Sequence, residues 1–263
     1  RRSNCELWKD NEMSAEALVV RRPGELRAKA ITCLTHSQVF DLAIIGGGAE
    51  ELLQRHGFVL VPNVLSATER DDVAARTRSS MTERVGARSM LRHDWCALLA
   101  RSLRLNRLPT GLVPSAWKAV QCTYFEKSAK HNWLVAVHQD LSIPVAEKVA
   151  HPDLRVWSFK EGVHFVQPPV SVLERLVAVR LHLDACAAGD GPLRIVPASH
   201  FSGIIPLDAA VAARAREVVC VAERGSALVM RPLALHASSK SAGSGLRRVL
   251  HFLFGPPELP FGL

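Results

Sequence analysis

The 263-residue sequence predicts a mainly β fold, an antiparallel barrel or jelly roll with helices packed outside it. From about residue 118 to residue 254, short runs of β-branched and apolar residues alternate with turn residues. The first third instead has helical patterns and a single strand-like run, so its helices can cover one side of a sheet. Hydrophobic residues make up 48% and charged residues 22%, as in an ordinary globular protein with a full core.

The N-terminal residues 1–35 are polar and irregular. We expect a poorly ordered arm there, followed by one domain over residues 36–263. Gly46–Gly48 follows an apolar run and imitates the strand-to-helix turn that binds a dinucleotide. Glu51 occupies the position where that fingerprint needs a third small residue, and its carboxylate would repel a pyrophosphate. The sequence therefore disfavours a flavin or nicotinamide protein, which stays an alternative.

Cysteine usage indicates the cellular compartment of the protein, and its charge indicates the kind of partner it binds. The six cysteines are scattered without a CxxC pair, and we find neither a secretory segment nor an apolar run of membrane-spanning length. We therefore expect a cytoplasmic protein with reduced thiols and no membrane contact.

The net charge is +8, but Arg101, Arg104 and Arg107 form a helix face without interleaved aromatic residues. We expect a solvated face and no nucleic-acid partner, since an anionic substrate uses positive charge equally well.

The first predicted elements follow from capping and turn residues. Gly57 is a typical C-terminal stop for a helix, and Ser66–Glu69 has the form of a capping box. Leucine spacing predicts a further helical stretch. The predicted elements are a helix over Ala49–His56, a strand over Phe58–Pro62, a helix from the capping box to about Thr82 and helical turns over Leu91–Leu105.

Strands dominate the remaining chain, with one short helix near Ala209–Arg216. The predicted strands are Ala119–Phe125, Trp133–Asp140, Leu176–Leu183, Leu193–Val196, Val218–Val221, Ser226–Met230 and Leu246–Phe254. Only a polar turn separates the first two, so we expect them to pair as a hairpin. Residues 141–175 hold four prolines and look irregular, which predicts a lid or binding loop.

His138 and Asp140 lie two residues apart on a predicted strand, so both side chains project to one face. One more imidazole completes a two-His-one-carboxylate metal site with positions open for substrates and oxygen, and His236 is our candidate. His182 and Asp184 have the same spacing, but they lead into a Gly-rich turn where the carboxylate can cap backbone amides. The residues alone leave both pairs open.

Arg247 is our candidate anchor for an acidic co-substrate. A guanidinium holds a carboxylate through two parallel hydrogen bonds and never loses its charge. Arg248 must project to the opposite face of the same strand. The simplest expectation is that one arginine points inward and the other is solvated, and the pattern alone does not select between them.

From about Gly57 to Phe254 the chain resembles the phytanoyl-CoA dioxygenase family of iron(II)/2-oxoglutarate oxygenases. The matching pieces are Gly57-Phe58-Val59, Asn132-Trp133 leading into His138-Gln139-Asp140, Gly191-Pro192-Leu193 with Pro197-Ala198-Ser199-His200, and His236-Ala237-Ser238 with Arg247. The resemblance implies a double-stranded β-helix (jelly-roll, cupin-like) fold, with iron bound by His138, Asp140 and His236. The sequence departs from the family in the N-terminal arm, in the Gly-rich stretch and at Val137, where an aromatic residue is common.

The same resemblance implies a 2-oxoglutarate site. Arg247, eleven positions after the second histidine ligand, would receive a carboxylate of the co-substrate, and Ser238 would assist it. Lys127 falls where related ectoine hydroxylases have a 2-oxoglutarate-binding lysine. Gln121 matches a substrate-pocket position in those enzymes, and we also assign Trp157 to the substrate pocket.

The implied activity is oxidation, by hydroxylation, of a small organic substrate with molecular oxygen and decarboxylation of 2-oxoglutarate. Two further alternatives stay open beside the flavin or nicotinamide protein. A nucleic-acid demethylase of the same chemistry needs a basic groove with aromatic residues around the iron. A non-catalytic jelly-roll binding protein would keep the metal site as a vestige or as a structural element.

Overall fold

Short strands account for most of the regular structure after residue 118, as their β-branched and apolar residues predict. The computed structural model describes residues 48–81, 86–243 and 245–263. Its strands are β1 (Phe58–Val61), β2 (Gly86–Ala87), β3 (Lys118–Lys127), β4 (Val135–His138), β5 (Ile143–Val145), β6 (Arg155–Lys160), β7 (Val163–Gln167), β8 (Val177–His182), β9 (Leu193–Ile195), β10 (Val218–Cys220), β11 (Ala227–Met230), β12 (His236–Ser238) and β13 (Arg247–Gly255).

The helices are short and stand mainly before β3 or between strands. The α-helices are α1 (Ala49–His56), α2 (Ala67–Ser80), α3 (Asp94–Ser102), α4 (Val170–Leu173) and α5 (Leu207–Ala213). A π-helical turn continues α3 over Leu103–Arg107. Short 3₁₀ turns occupy Met90–Arg92, Ala188–Asp190, Ser199–Ser202, Arg214–Arg216 and Pro260–Gly262.

Local signals explain where the first helices begin and end. Gly57 has a φ of 82° and donates its N–H to the Leu53 carbonyl at 2.9 Å, which ends α1 where the sequence predicts. Ser66 and Glu69 form the predicted capping box at the start of α2. Arg107 donates two hydrogen bonds to the Glu69 carboxylate, so the turn after α3 is tied to α2. These bonds lower the pKa of Glu69 to about 2.

The strands form three antiparallel sheets rather than one closed barrel in the described part of the chain. The large sheet has the order β1-β11-β8-β13-β3-β2, the second β10-β9-β12-β4 and the third β5-β7-β6. Ala178 and Met230 of the large sheet share a buried cluster with Leu193 and Ile195 of the second sheet. The predicted jelly roll is therefore confirmed, with a core between its two main sheets.

Alternation gives the large sheet two different faces. On β13, Leu250 and Phe252 pack with Leu103 and other residues of the helical layer. His251 and Leu253, on the other face of the same strand, line a cavity that is partly open to solvent. Strands β3 and β8 alternate in the same way, so the helices buttress the sheet as predicted and leave its inner face to the cavity.

The predicted hairpin between the strand near Ala119–Phe125 and the His138 strand is wrong. β3 pairs with β13 and β2 in the large sheet, whereas β4 pairs with β12 in the second sheet. The residues between β3 and β4 cross from one sheet to the other, because consecutive strands of a jelly roll can lie in opposite sheets. Consecutive strands β8 and β9 are divided in the same way, because β9 pairs with β10 and β12 in the second sheet.

Residues 141–175 are more regular than predicted, since they contain the three-stranded sheet and α4. Pro144 lies in β5, an edge strand, where a missing N–H is tolerated. Glu161 and Gly162 have φ values of 51° and 80°, which fit the tight turn that joins β6 to β7. Prolines and glycine here mark strand edges and a turn, not an irregular loop.

Some predictions fall outside the described residues, namely the arm over residues 1–35 and most of the Gly46–Gly48 stretch. No helix in the described ranges combines the length and apolarity that crossing a membrane requires. Four of the six cysteines lie in these ranges, and all four are buried and free: Cys96, Cys122, Cys186 and Cys220.

Candidate active site

Strand pairing brings two histidines and one carboxylate together. His138 at the end of β4 lies opposite His236 at the start of β12, and their ring centroids are 4.2 Å apart. Asp140 follows β4, where its backbone N–H donates to the Pro232 carbonyl at 2.9 Å. One side-chain atom from each of the three residues lies within 4.8 Å of the others. This spacing fits a single metal ion.

The two imidazoles are oriented by main-chain carbonyls. His138 Nδ1 lies 2.8 Å from the Ala136 carbonyl oxygen, and His236 Nδ1 lies 2.9 Å from that of Ala234. Because a carbonyl only accepts hydrogen bonds, each Nδ1 carries the proton and each Nε2 presents a lone pair. Both Nε2 atoms lie 3.7 Å from a carboxylate oxygen of Asp140.

Burial and the charges within this group shift the pKa values of its three residues in different directions. Burial lowers the pKa of His236, which favours the neutral imidazole. Burial acts to raise the pKa of Asp140, but the neighbouring His236, His138 and His251 lower it below its usual range. Asp140 is therefore a charged carboxylate beside the neutral His236 imidazole. At His138, burial acts to lower the pKa, but the Asp140 carboxylate outweighs it and raises the pKa, so this imidazole takes up a proton more readily than a free one.

His251 is a neighbour of this site that the sequence analysis missed. Its Nε2 lies 3.8 Å from Asp140 Oδ2, and its ring lines the cavity. Burial lowers its pKa to about 4, so the ring is neutral near pH 7. A usable signal was present, because alternation along β13 places His251 on the same face as Arg247.

The rival pair is not arranged to bind a metal. Asp184 accepts hydrogen bonds from the backbone N–H of Arg248 and, at 2.8 and 2.9 Å, from its guanidinium. Burial and the cations Arg180 and Arg247 hold the pKa of His182 well below its usual value. Within the described ranges, the group formed by His138, Asp140 and His236 is the only cluster with metal-binding spacing.

The residues predicted for the co-substrate also converge. Lys127 and Arg247 are direct partners on β3 and β13. Lys127 Nζ donates to Ser238 Oγ and to the Ser239 carbonyl, both at 2.6 Å. Arg247 donates to the Gly191 carbonyl. Burial, followed by the charges of Arg247 and Arg180, lowers the pKa of Lys127 to about 7, so this end of the cavity has an excess of positive charge.

Both neighbouring arginines are buried, which corrects the expectation that one is solvated. Arg247 is 4% and Arg248 5% exposed. They point to opposite faces as alternation requires, and Arg247 lines the cavity. Arg248 stays buried on the other face because Asp184 neutralises it.

One cavity of about 390 Å³ connects the metal group with the cationic end. Gln121 lines it as predicted and donates to Thr123 Oγ1 at 3.0 Å. Trp157 does not line it, which corrects the substrate-pocket assignment. Its ring instead lies beside Lys148, with Nζ 5.7 Å from the ring centroid. The third sheet contributes Phe165, so it covers part of the cavity.

Comparisons with known proteins agree on family and fold. The profile described as Phytanoyl-CoA dioxygenase (PhyH) matches residues 53–249. No curated protein sequence matches the chain.

Similar solved structures include the non-heme alpha ketoglutarate dependent epimerase SnoN from nogalamycin biosynthesis. The two sequences are 16% identical, the match covers 79% of this chain and 81% of the SnoN chain, and the TM-score is 0.57. HygX from Streptomyces hygroscopicus, with nickel and 2-oxoglutarate bound, is 16% identical over 86% of this chain and 88% of its own, with a TM-score of 0.55. EctD from S. alaskensis in its apoform is 13% identical over 90% of this chain and 84% of the EctD chain, with a TM-score of 0.58. At these identities the likenesses show a shared cupin-like fold.

Proposed function

The chain belongs to the phytanoyl-CoA dioxygenase family of iron(II)/2-oxoglutarate-dependent oxygenases, and from this premise we propose that it hydroxylates a small organic metabolite. One oxygen atom of O₂ enters the substrate C–H bond and the other enters succinate, while 2-oxoglutarate loses carbon dioxide. The observation that carries the proposal is one cavity with His138, Asp140 and His236 on its wall and with Arg247 and Lys127 also lining it.

The donor set fits iron(II). Two imidazole nitrogens and one carboxylate form the two-His-one-carboxylate face of non-haem iron oxygenases, which leaves other coordination positions open. Bound iron(II) would supply the activation of oxygen that couples loss of carbon dioxide to substrate oxidation. The chain supplies the ligands His138, Asp140 and His236 and fixes both histidine tautomers through carbonyl acceptors.

The cationic residues fit 2-oxoglutarate. We assign the distal carboxylate of the co-substrate to Arg247 and Lys127, because each offers charge-assisted hydrogen bonds inside a buried site. Ser238 accepts a hydrogen bond from Lys127 and so orients its ammonium group. Phe165 from β7 lines the cavity, and we assign to the third sheet the exclusion of water during the reaction.

A small-molecule substrate suits this site better than a nucleic acid, because the cations named here line a cavity instead of an open groove. The HygX structure with nickel, 2-oxoglutarate and hygromycin B supports this class of substrate. We also propose a cytoplasmic setting, which the four buried, free cysteines support.

Succinate release tests the proposed function. We expect protein supplied with iron(II), 2-oxoglutarate and oxygen to release succinate when the right member of a metabolite library is present. Mass spectrometry should then find a product with one added oxygen atom, and the label of ¹⁸O₂ should enter it. His236→Ala is the control that should abolish both signals. A product of unchanged mass would replace hydroxylation with isomerisation, the type of reaction named for SnoN.

A further inference from the structure

Arg180, in the middle of β8, is a buried arginine that forms no salt bridge with an acidic side chain of the described residues, although the Asp140 carboxylate acts on its charge from a longer distance. It is 7% exposed and lines the cavity. Its Nε has no hydrogen-bond partner among the described residues, and its guanidinium lies 5.4 Å from the centroid of the Phe125 ring. Arg248 provides the contrast, because it is equally buried but Asp184 neutralises it through three hydrogen bonds.

A buried cation without a directly paired anion destabilises the fold. Burial and the nearby charge of Arg247 lower the pKa of Arg180 to about 9, so the side chain still carries its charge near pH 7. The aromatic face of Phe125 compensates only part of the lost hydration. An anion that enters the cavity would supply the missing partner.

Strand register places Arg180 close to the metal group. Arg180 is the direct partner of His251, whose Nε2 lies 3.8 Å from Asp140 Oδ2. Lys127 and Arg247 are partners in a different row, four residues away along β13. The inner face of the sheet therefore has two cationic places, one beside the metal ligands and one farther from them. 2-Oxoglutarate has two carboxylates, one at its chelating end and one at its distal end.

We propose that Arg180 binds the carboxylate of 2-oxoglutarate at the chelating end, while Arg247 and Lys127 bind the distal carboxylate. This inference rests on the proposed function and adds a second co-substrate arginine to it. Arg180 then has two effects: it holds the co-substrate beside the metal, and it makes the ligand-free protein less stable.

Anaerobic binding with iron(II) separates the two carboxylates. The probes are 2-oxoglutarate and 2-oxobutyrate, which keeps the chelating 2-oxo acid but lacks the distal carboxylate. We expect Arg180→Met to raise the dissociation constants of both probes at least about tenfold, because each loses the same charge-assisted contact. Arg247→Met should raise the dissociation constant of 2-oxoglutarate by a similar factor and leave that of 2-oxobutyrate unchanged.

Thermal unfolding of the metal-free, ligand-free protein separates ligand binding from a structural role. Arg180→Met removes an unpaired charge at nearly constant side-chain length, so the unfolding midpoint should rise. Arg248→Met is the matched control, since it removes the guanidinium from Asp184 and leaves that partly buried carboxylate with only the backbone N–H of residue 248. Its midpoint should fall while its affinity for 2-oxoglutarate stays unchanged.

Three results would overturn the inference. An unchanged 2-oxoglutarate affinity in Arg180→Met would show that this arginine does not bind the co-substrate. If Arg180→Met loses affinity for 2-oxoglutarate only and binds 2-oxobutyrate normally, Arg180 contacts the distal carboxylate instead. If the unmodified protein binds neither 2-oxo acid in the presence of iron(II), the proposed function itself fails.

Discussion

Each histidine of the candidate metal site is oriented by the carbonyl of the residue two positions before it. For His138 and His236 the acceptors are Ala136 and Ala234. The acceptor is part of the same strand or of the turn before it, so local backbone conformation fixes the tautomer without a second polar side chain. His182 has no hydrogen-bond partner on either ring nitrogen among the described residues, so nothing fixes its tautomer.

Metal analysis tests this difference between the histidines. His138→Ala and His236→Ala should each lower iron(II) affinity by more than the roughly 10–100-fold that loss of an outer-sphere partner costs. His182→Ala should retain iron, because Asp184 is engaged by Arg248. The measurement is the iron content after anaerobic reconstitution, with circular dichroism as a check on folding. Normal iron content in His138→Ala would transfer the metal to the rival pair.

Lys127 should make co-substrate binding depend on pH. Its pKa of about 7 reflects burial first and then the cations Arg247, Arg180 and Arg194, while Cys186 acts in the opposite direction. The ammonium form predominates below pH 7, and a bound carboxylate favours it. The dissociation constant of 2-oxoglutarate should therefore be lowest below pH 7 and rise above it by up to about tenfold per pH unit, the slope of one linked proton.

Calorimetry with iron(II) under anaerobic conditions, between pH 6 and 9, measures this dependence. Lys127→Met is the control, and it should bind more weakly with a much flatter pH profile. If the unmodified protein gives the same flat profile, Lys127 does not titrate in this range or does not contact the ligand.

At the scale of elements, the end of α1 depends on a glycine for two separate reasons. Gly57 has a φ of 82°, and a Cβ placed on it would lie 2.5 Å from Nδ1 of His200. Gly162, in the turn between β6 and β7, has a φ of 80° but no atom within 4 Å of such a Cβ. The two positions share the backbone strain and differ in the steric clash.

Alanine substitutions separate the energetic cost of the left-handed backbone from that of the steric clash. Gly162→Ala should lower the free energy of unfolding by about 1–2 kcal/mol, the strain of a left-handed alanine. Gly57→Ala should lower it further, since the His200 ring must move and its Nε2 lies 3.0 Å from the Gln54 carbonyl. Urea unfolding measures both values. Equal losses would mean that the ring moves without cost.

At the scale of the whole molecule, local signals were predictable and long-range pairing was not. The capping box at Ser66, the stop at Gly57 and the metal pair His138-x-Asp140 each depend on residues close in sequence. The pairing of β4 with β12 joins residues nearly one hundred positions apart. A short polar turn therefore favoured a hairpin that the jelly roll does not form.

The same limit explains the residues of the site that were missed. The register of β8 against β13 makes Arg180 and His251 neighbours of each other, and the packing of the large sheet against the second sheet brings His251 within 3.8 Å of Asp140. Period-two alternation from Arg247 to His251, and from His182 to Arg180, offered a signal, but only once the inward face was known. Trp157 stands in a segment whose prolines predict a loop, and that segment forms a sheet instead.

On the large sheet, the residues that face the helical layer and the residues that face the cavity can be substituted independently of each other in evolution. Cys122 and Phe252 face the helical layer, whereas Gln121 and Leu253 face the cavity. Substitutions on the cavity side can alter which molecule is admitted while the packing that supports the strands is conserved. Lineages of such a protein could thus acquire new substrates by drift along one side of three strands, with little loss of foldability.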